Sequence, residues 1–228
     1  MPTDDAIRGR AARNALTIAA YAAVFGVSFG VLATSADLSV AQTCALSLLV
    51  FAGGAQFAVV GVLAAGGATA AAVVSGLLLN SRYLAFGMVV TPFLRGSVAR
   101  RALGAQLLTD ESAALALAEP DAREAVRTYW VTGVVLYLVW NAGTLVGALV
   151  GEAIGDPATL GLDAALPAAF LALLVPLLRD RPRRVAALAG AGLALLLTPV
   201  TPPGVPILAA ALGGLAGLRV PGGTRDAR

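Results

Sequence analysis

The sequence predicts an all-α integral membrane protein, and three observations carry that prediction. Hydrophobic residues make up 58% of the 228 positions and charged ones 13%, with a mean hydropathy of +0.84, values outside the range of soluble domains. The apolar residues gather into runs long enough to enter or cross ~30 Å of hydrocarbon. All 16 basic residues are arginine, and 15 of them lie between these runs, Arg82 being the exception. The net charge of +3 therefore flanks apolar segments and forms no single basic face, which argues for the lipid bilayer and against nucleic acid as a partner. With no histidine and one cysteine, a His/Cys metal site and a disulfide framework are both excluded. Cys44, inside an apolar run, reads as a small core residue.

Taken in order, residues 1–14 form an N-terminal cytoplasmic segment, 15–218 a single membrane domain, and 219–228 a polar cytoplasmic tail. Arg8, Arg10 and Arg13 precede the first run as in a signal peptide, but Ala15 to Thr34 exceeds the roughly 7–15 residues of a signal core and is read as a retained span. Gly26 and Gly30 repeat at the four-residue spacing of small-residue helix contacts. A polar link with Asp37 leads to the run 41–65, broken near its middle by Gly53-Gly54 and Gln56. The run 68–94 is broken by Asn80-Ser81-Arg82-Tyr83. In 95–127, Arg95, Arg100, Arg101, Arg123 and Arg127 surround a short, partly polar helix near 102–118. Residues 128–151 are an uninterrupted span, followed by an acidic loop with Glu152, Asp156 and Asp163. Residues 164–178 are short and bounded by prolines. The basic turn Arg179 to Arg184 precedes two brief apolar segments, 185–198 and 204–218, joined by the proline turn Pro199 to Pro206.

Arginine-bearing short loops belong in the cytoplasm. The N-terminus, 95–127, 179–184 and the tail carry the arginines, while the linkers near 37, 66, 156 and 201 carry none. Two full crossings between 37 and 95 would put Arg95, Arg100 and Arg101 outside. The parity is restored if one of the two interrupted segments, 41–65 or 68–94, enters and leaves on one side, and 41–65 is the better candidate, as two half-helices meeting at Gly53-Gly54. Non-helical backbone at that depth is tolerated only where protein or a water-filled cavity surrounds it. The expected fold has about six spans plus this re-entrant pair, with the final two segments either crossing twice or forming a re-entrant hairpin.

The polar interruptions are the candidate site. Arg82 stands near the middle of its segment, where a charge costs at least ~2.5 kcal/mol and needs a partner. That partner is either a substrate carboxylate in a cavity or Asp110 or Glu111 in a structural pair. Gly53, Gly54 and Gln56 would begin a half-helix whose free N–H groups suit a carboxylate, though glycines also serve close packing. Asn80 and Tyr83 are three apart on one helix face and can bond a substrate or a neighbouring helix. Asp110 and Glu111 follow Thr109 at a helix start, where the dipole favours carboxylates. With no histidine, a carboxylate must carry any coupled proton. Asn141 reads as interhelical glue.

These motifs resemble the AzlC family of inner-membrane permeases. A GAAQF-like motif appears as Gly53-Gly54-Ala55-Gln56-Phe57, and an LLN-x-RY-like motif as Leu78-Leu79-Asn80-Ser81-Arg82-Tyr83. Leu108-Thr109-Asp110-Glu111 and the stretch Pro167 to Arg181 fit the same pattern, so the likeness runs roughly from Ala15 to Leu218. The resemblance implies export of branched-chain amino acids such as valine and a small hydrophobic AzlD-like membrane subunit as partner. It also implies a multi-pass protein of the bacterial inner membrane with both termini cytoplasmic.

A secondary transporter driven by the proton-motive force needs a polar midplane site on broken helices and no cofactor, and no G-x-x-x-x-G-K-[ST] occurs. A structural membrane subunit without its own substrate site is the alternative. An intramembrane enzyme would need facing carboxylates or a metal site, and only the adjacent Asp110-Glu111 pair is present.

Overall fold

The structure is a computed structural model and describes residues 4–154, 171, 174–175, 178, 180–202 and 204–218. Eleven α-helices are numbered here among the described residues: α1 Asp4–Ser35, α2 Val40–Val50, α3 Gly53–Ala64, α4 Thr69–Asn80, α5 Arg82–Val90, α6 Val98–Gln106, α7 Asp110–Leu117, α8 Ala122–Ile154, α9 Arg181–Leu197, α10 Val205–Ala210 and α11 Gly213–Leu218. A 3₁₀ turn, Thr91–Phe93, extends α5, and no strand occurs among these residues. Most of the expected span 164–178, most of the acidic loop before it and the tail 219–228 lie outside the described residues.

Among the described residues, three stretches are long and apolar enough to cross a membrane: Ile18–Ser35, Thr69–Phe93 and Ala122–Ala153. Val40–Val50, Gly53–Ala64 and Val205–Leu218 are apolar but shorter. By packing, the chain divides into two compact units, one of residues 1–56 and 78–156 and the other of 57–77 and 157–228.

The first unit is built on α1 against α8, held at backbone distance by glycines. A Cβ on Gly26 would lie 2.6 Å from the Trp140 carbonyl oxygen, and one on Gly143 would lie 2.8 Å from that of Ala23. A side chain at Gly30 would strike the Thr144 carbonyl, and one at Gly147 the Val27 carbonyl. Such small-residue seams let van der Waals contact join helices in lipid, where the hydrophobic effect does not. Residue numbers rise together along the seam, 26 with 140 and 30 with 144, so α1 and α8 run parallel. Two parallel spans cross in the same direction, and the chain between them must then cross an odd number of times. That is the parity the arginines demand. Helices of 11 and 12 residues, α2 and α3, are each too short to cross alone at 1.5 Å per residue.

Also in this unit, α2 lies antiparallel on α8. The buried hydroxyls of Ser47 and Thr144 meet at 3.1 Å, and the Phe51 and Tyr137 rings meet edge to face at 4.9 Å. Around Tyr129, a buried cluster of Val90, Leu108, Ala113 and Ala116 ties α5, α7 and α8 together, and the Tyr129 hydroxyl donates to the Gly104 carbonyl at 2.8 Å.

In the second unit, α9 pairs antiparallel with α10 and α11. Gly190 faces the Ala210 carbonyl and Gly217 the Pro182 carbonyl, each 2.8 Å from where a Cβ would stand. Gly204, with φ of 95°, turns the chain into α10 while packing on Ala71 and Val62.

Four expectations need correction. The helix near 102–118 is two helices, because Thr109 caps α7: its hydroxyl accepts the Ser112 N–H at 3.0 Å while the Ser112 hydroxyl accepts the Thr109 N–H at 2.9 Å. This reciprocal box satisfies orphan donors and fixes a helix start mid-sequence. The break in 41–65 falls at Phe51–Ala52, two residues earlier than the glycines, which instead begin α3. The segment 204–218 divides at Ala211–Leu212, where bonds such as Leu212 N–H to Ala209 oxygen reach only three residues back. The first and central long helices also exceed 15–34 and 128–151, since the arginine-bearing flanks continue as helix. Asp121 caps α8, its Oδ1 accepting the N–H groups of Arg123 and Glu124.

Candidate functional site

The break between α2 and α3 is held by specific side chains. Phe51 adopts φ 40°, ψ 52°, a left-handed conformation that is uncommon and costly for a bulky residue. Ending α2 there orphans its last carbonyls, which lipid cannot satisfy. The Gln106 amide donates to the Leu48 oxygen at 2.9 Å and the Leu49 oxygen at 3.2 Å, and the Tyr137 hydroxyl donates to Leu48 at 3.1 Å. Two donors from distant helices therefore supply what the interrupted helix lacks.

On the other side of the break, Gly53, Gly54 and Ala55 are the first turn of α3, and the ladder begins with Gln56 N–H to Ala52 oxygen at 2.9 Å. The three amides before it have no intrahelical acceptor by position. The two glycines differ in role. A Cβ on Gly53 would come 2.8 Å from the Trp140 ring, so its bareness serves packing. A Cβ on Gly54 would lie 3.6 Å from Arg82 Nη2 and 3.8 Å from Leu79 Cδ2, in ordinary contact. Gly54 thus presents the positive end of α3 to the Arg82 guanidinium.

Arg82 opens α5 after a one-residue interruption. Ser81 N–H bonds Leu78 oxygen and Leu84 N–H bonds Ser81 oxygen, three-residue bonds that tighten the turn there. Its guanidinium donates from Nη1 to Asp110 Oδ2 at 3.0 Å. It also lies 5.1 Å from the Tyr83 ring centroid, with Nη2 3.5 Å from the Tyr83 hydroxyl, the outer limit of a hydrogen bond. The Arg82 and Asp110 side chains are each 43% exposed, so the pair is accessible.

Asp110 and Glu111 occupy the first turn of α7. Asp110 meets Arg82, whereas Glu111 makes no ion pair among the described residues. Among the described residues, Asp110 Oδ1 is buried and has no hydrogen-bond partner. Gln56 is fully buried, and among the same residues neither its amide oxygen nor its nitrogen has a partner. Asn80 Oδ1 is likewise buried and unpartnered. Native interiors rarely leave such groups unmet. Asn141 donates to the Tyr137 carbonyl at 2.8 Å, within its own helix.

Sequence reasoning missed four participants. Tyr21 of α1 lies within range of the charges of Glu111, Asp110 and Arg82. Trp140 packs on Gly53, while Tyr137 and Gln106 hold the break. The available signal was a polar-tipped residue inside an apolar run, since such tips need partners when buried.

The comparisons with known proteins agree with this architecture. The family description "AzlC protein" matches residues 17–154, which include the break and the Arg82–Asp110 pair. An uncharacterized membrane protein of Archaeoglobus fulgidus is 31% identical over 197 residues, 82% of this chain and 83% of its own. The inner membrane protein YgaZ of Escherichia coli is 30% identical over 160 residues, 65% of this chain and 64% of its own. An uncharacterized membrane protein of Helicobacter pylori is 26% identical over 154 residues, 67% of each chain. No solved structure matches. On the family match and these similarities, the chain belongs to the AzlC family of membrane proteins.

Proposed function

We propose that this protein is a secondary transporter that exports branched-chain amino acids across the inner membrane, with the substrate zwitterion bound between Arg82 and Asp110. The observation that carries the reading is the position of Arg82, beside the start of α3 at Gly54 and 3.0 Å from Asp110. An amino acid has two charged ends, and this site offers a complement to each. Its carboxylate would meet the guanidinium fork and the first amides of α3. Its ammonium would meet Asp110, and an apolar side chain suits the apolar helices around.

The same arrangement supports proton coupling. A proton on Asp110 cancels the charge that holds the ammonium, so proton and substrate exclude one another on that carboxylate. Mutual exclusion is what exchange in opposite directions requires: the proton moves inward on Asp110, and the amino acid leaves outward. Gln56 and Asn80 bring unmet hydrogen-bonding atoms to the helices on either side. A small hydrophobic AzlD-like subunit fits the exposed apolar residues Leu84, Met88 and Val89 of α5.

The experiment is counterflow in proteoliposomes of the purified chain, with and without that subunit, using valine, leucine, isoleucine, lysine and glutamate. Counterflow confined to the three branched-chain substrates is expected, with net export rising as an inward proton gradient is imposed. Asp110→Asn, a permanent neutral mimic of the protonated carboxylate, should lose counterflow and gradient-driven export together. Folded protein that moves none of the five with the subunit present would favour a structural subunit.

A further inference from the structure

A second polar feature of the first unit stands apart from the Arg82 site. Where the Thr69–Phe93 stretch ends, Thr91, Pro92, Leu94, Arg95, Gly96 and Arg101 line a cavity of about 460 Å³. Its charge is all of one sign. Between Arg82 and Asp110 the sequence has no acidic residue, and among the described residues no carboxylate pairs with Arg95, Arg100 or Arg101. Three arginines within seven positions would repel one another unless an anion lay between them.

The local fold holds these arginines in place. Gly96 has φ of 119°, and the Arg100 stem lies across it, 3.1 Å from where a Cβ would stand. That positive φ turns the chain sharply from the end of the 3₁₀ turn into α6. The Arg100 guanidinium stacks 5.3 Å from the centroid of Trp130, and Trp130 donates from Nε1 to the Phe93 carbonyl at 3.3 Å. Arg100 is thereby occupied, and Arg95 and Arg101 remain to face the cavity.

We infer that this cavity binds the phosphodiester headgroup of an anionic phospholipid. Arginine presents a planar fork that bonds phosphate oxygens in pairs. The lining combines the two chemistries of such a lipid, the guanidinium groups of Arg95 and Arg101 with the apolar Pro92 and Leu94. Alongside, Val98, three residues before Arg101 on α6, is 81% exposed, an apolar side chain suited to the acyl region beside the headgroup. An indole at the same level is the usual furniture of a membrane–water interface. A free phosphate ion would share the arginines but would have no use for Pro92 and Leu94.

The test uses the purified full chain in detergent, with binding of phosphatidylglycerol and of phosphatidylcholine measured by native mass spectrometry and by thermal shift. Phosphatidylglycerol should bind and raise the melting temperature, and phosphatidylcholine should do neither. Arg95→Gln with Arg101→Gln should weaken phosphatidylglycerol binding roughly thirty-fold, the effect of about two interfacial arginines. If the double variant does not accumulate, each single variant should show about a five-fold loss on the same scale. Arg123→Gln with Arg127→Gln, which alters arginines outside the cavity, should leave binding unchanged. An undiminished lipid effect in the Arg95 and Arg101 variants would overturn the inference. So would an equal loss in the Arg123 and Arg127 variant, which would mean diffuse surface attraction. Inorganic phosphate reproducing the thermal shift without lipid, at comparable concentration, would overturn the lipid as occupant.

Discussion

Arg82 and Asp110 join two helices across 27 residues of sequence that contain no other acidic group, Nη1 to Oδ2 at 3.0 Å. Each side chain is 43% exposed, so the contact is not what locks either helix into the core. Arg82→Gln should therefore leave an inserted, accumulating protein. Its transport should fall by roughly thirty-fold or more, because a truncated charge–charge contact costs at least ~2 kcal/mol of binding. Arg82→Lys should fail too, since an ammonium lacks the fork. Efflux and membrane abundance measured on the same cells check this, and near-normal efflux in Arg82→Gln would show the residue to be dispensable.

The adjacent glycines should behave differently. Gly53→Ala places a methyl 2.8 Å from the Trp140 ring, an overpacking expected to cost ~1–3 kcal/mol, so the purified protein should melt earlier. Gly54→Ala meets nothing closer than 3.6 Å and should keep its melting temperature. Gly54→Leu should also stay folded, yet lose transport, because its branched end would fill the space before Arg82. A Gly54→Leu variant that melts early but transports normally would remove the start of α3 from the site.

Parallel α1 and α8 fix relative direction, and the arginines supply the absolute one. Residues 95–127 and 179–184 are expected in the cytoplasm, with 152–163 and 199–204 outside. In a Cys44→Ala background, a cysteine at position 98 should resist a membrane-impermeant thiol reagent in intact cells and react in inverted vesicles. A cysteine at position 201 should do the reverse. Labelling of position 98 from outside would invert or break the topology.

The sequence showed that this chain is helical and lives in lipid, because composition and run length decide both. It also located the polar interruptions, since each is a local departure from an apolar pattern. The division of labour between Gly53 and Gly54 was not legible, because it depends on which way each faces, and Trp140 is 87 positions away from Gly53 in sequence. Phe51 as the turning residue was equally hidden. Glycine is the default for a left-handed conformation, and phenylalanine adopts it here only because distant groups compensate. The choice of Asp110 over Glu111 for Arg82 likewise waited on tertiary packing. Thr109 is the mixed case: its cap lies within three residues and the helix start there was legible, yet the stretch 102–118 still read as one helix.

Those distant compensating groups give the final prediction. Tyr137 and Gln106 both donate to the Leu48 carbonyl, and Gln106 also reaches Leu49. Tyr137→Phe removes one of two donors on Leu48 and should cost only about 0.5–1.5 kcal/mol, the net worth of a single hydrogen bond. Gln106→Leu leaves Leu49 without a donor and should cost more, about 1–3 kcal/mol for an unmet polar group. The double variant strips both carbonyls where lipid offers no replacement, so its loss should exceed the sum of the two single losses. Groups sharing one acceptor are expected to couple in this way. Melting of the four proteins in one detergent supplies the full cycle. Additive losses would mean that the break stands on the Phe51–Tyr137 ring contact and the backbone alone.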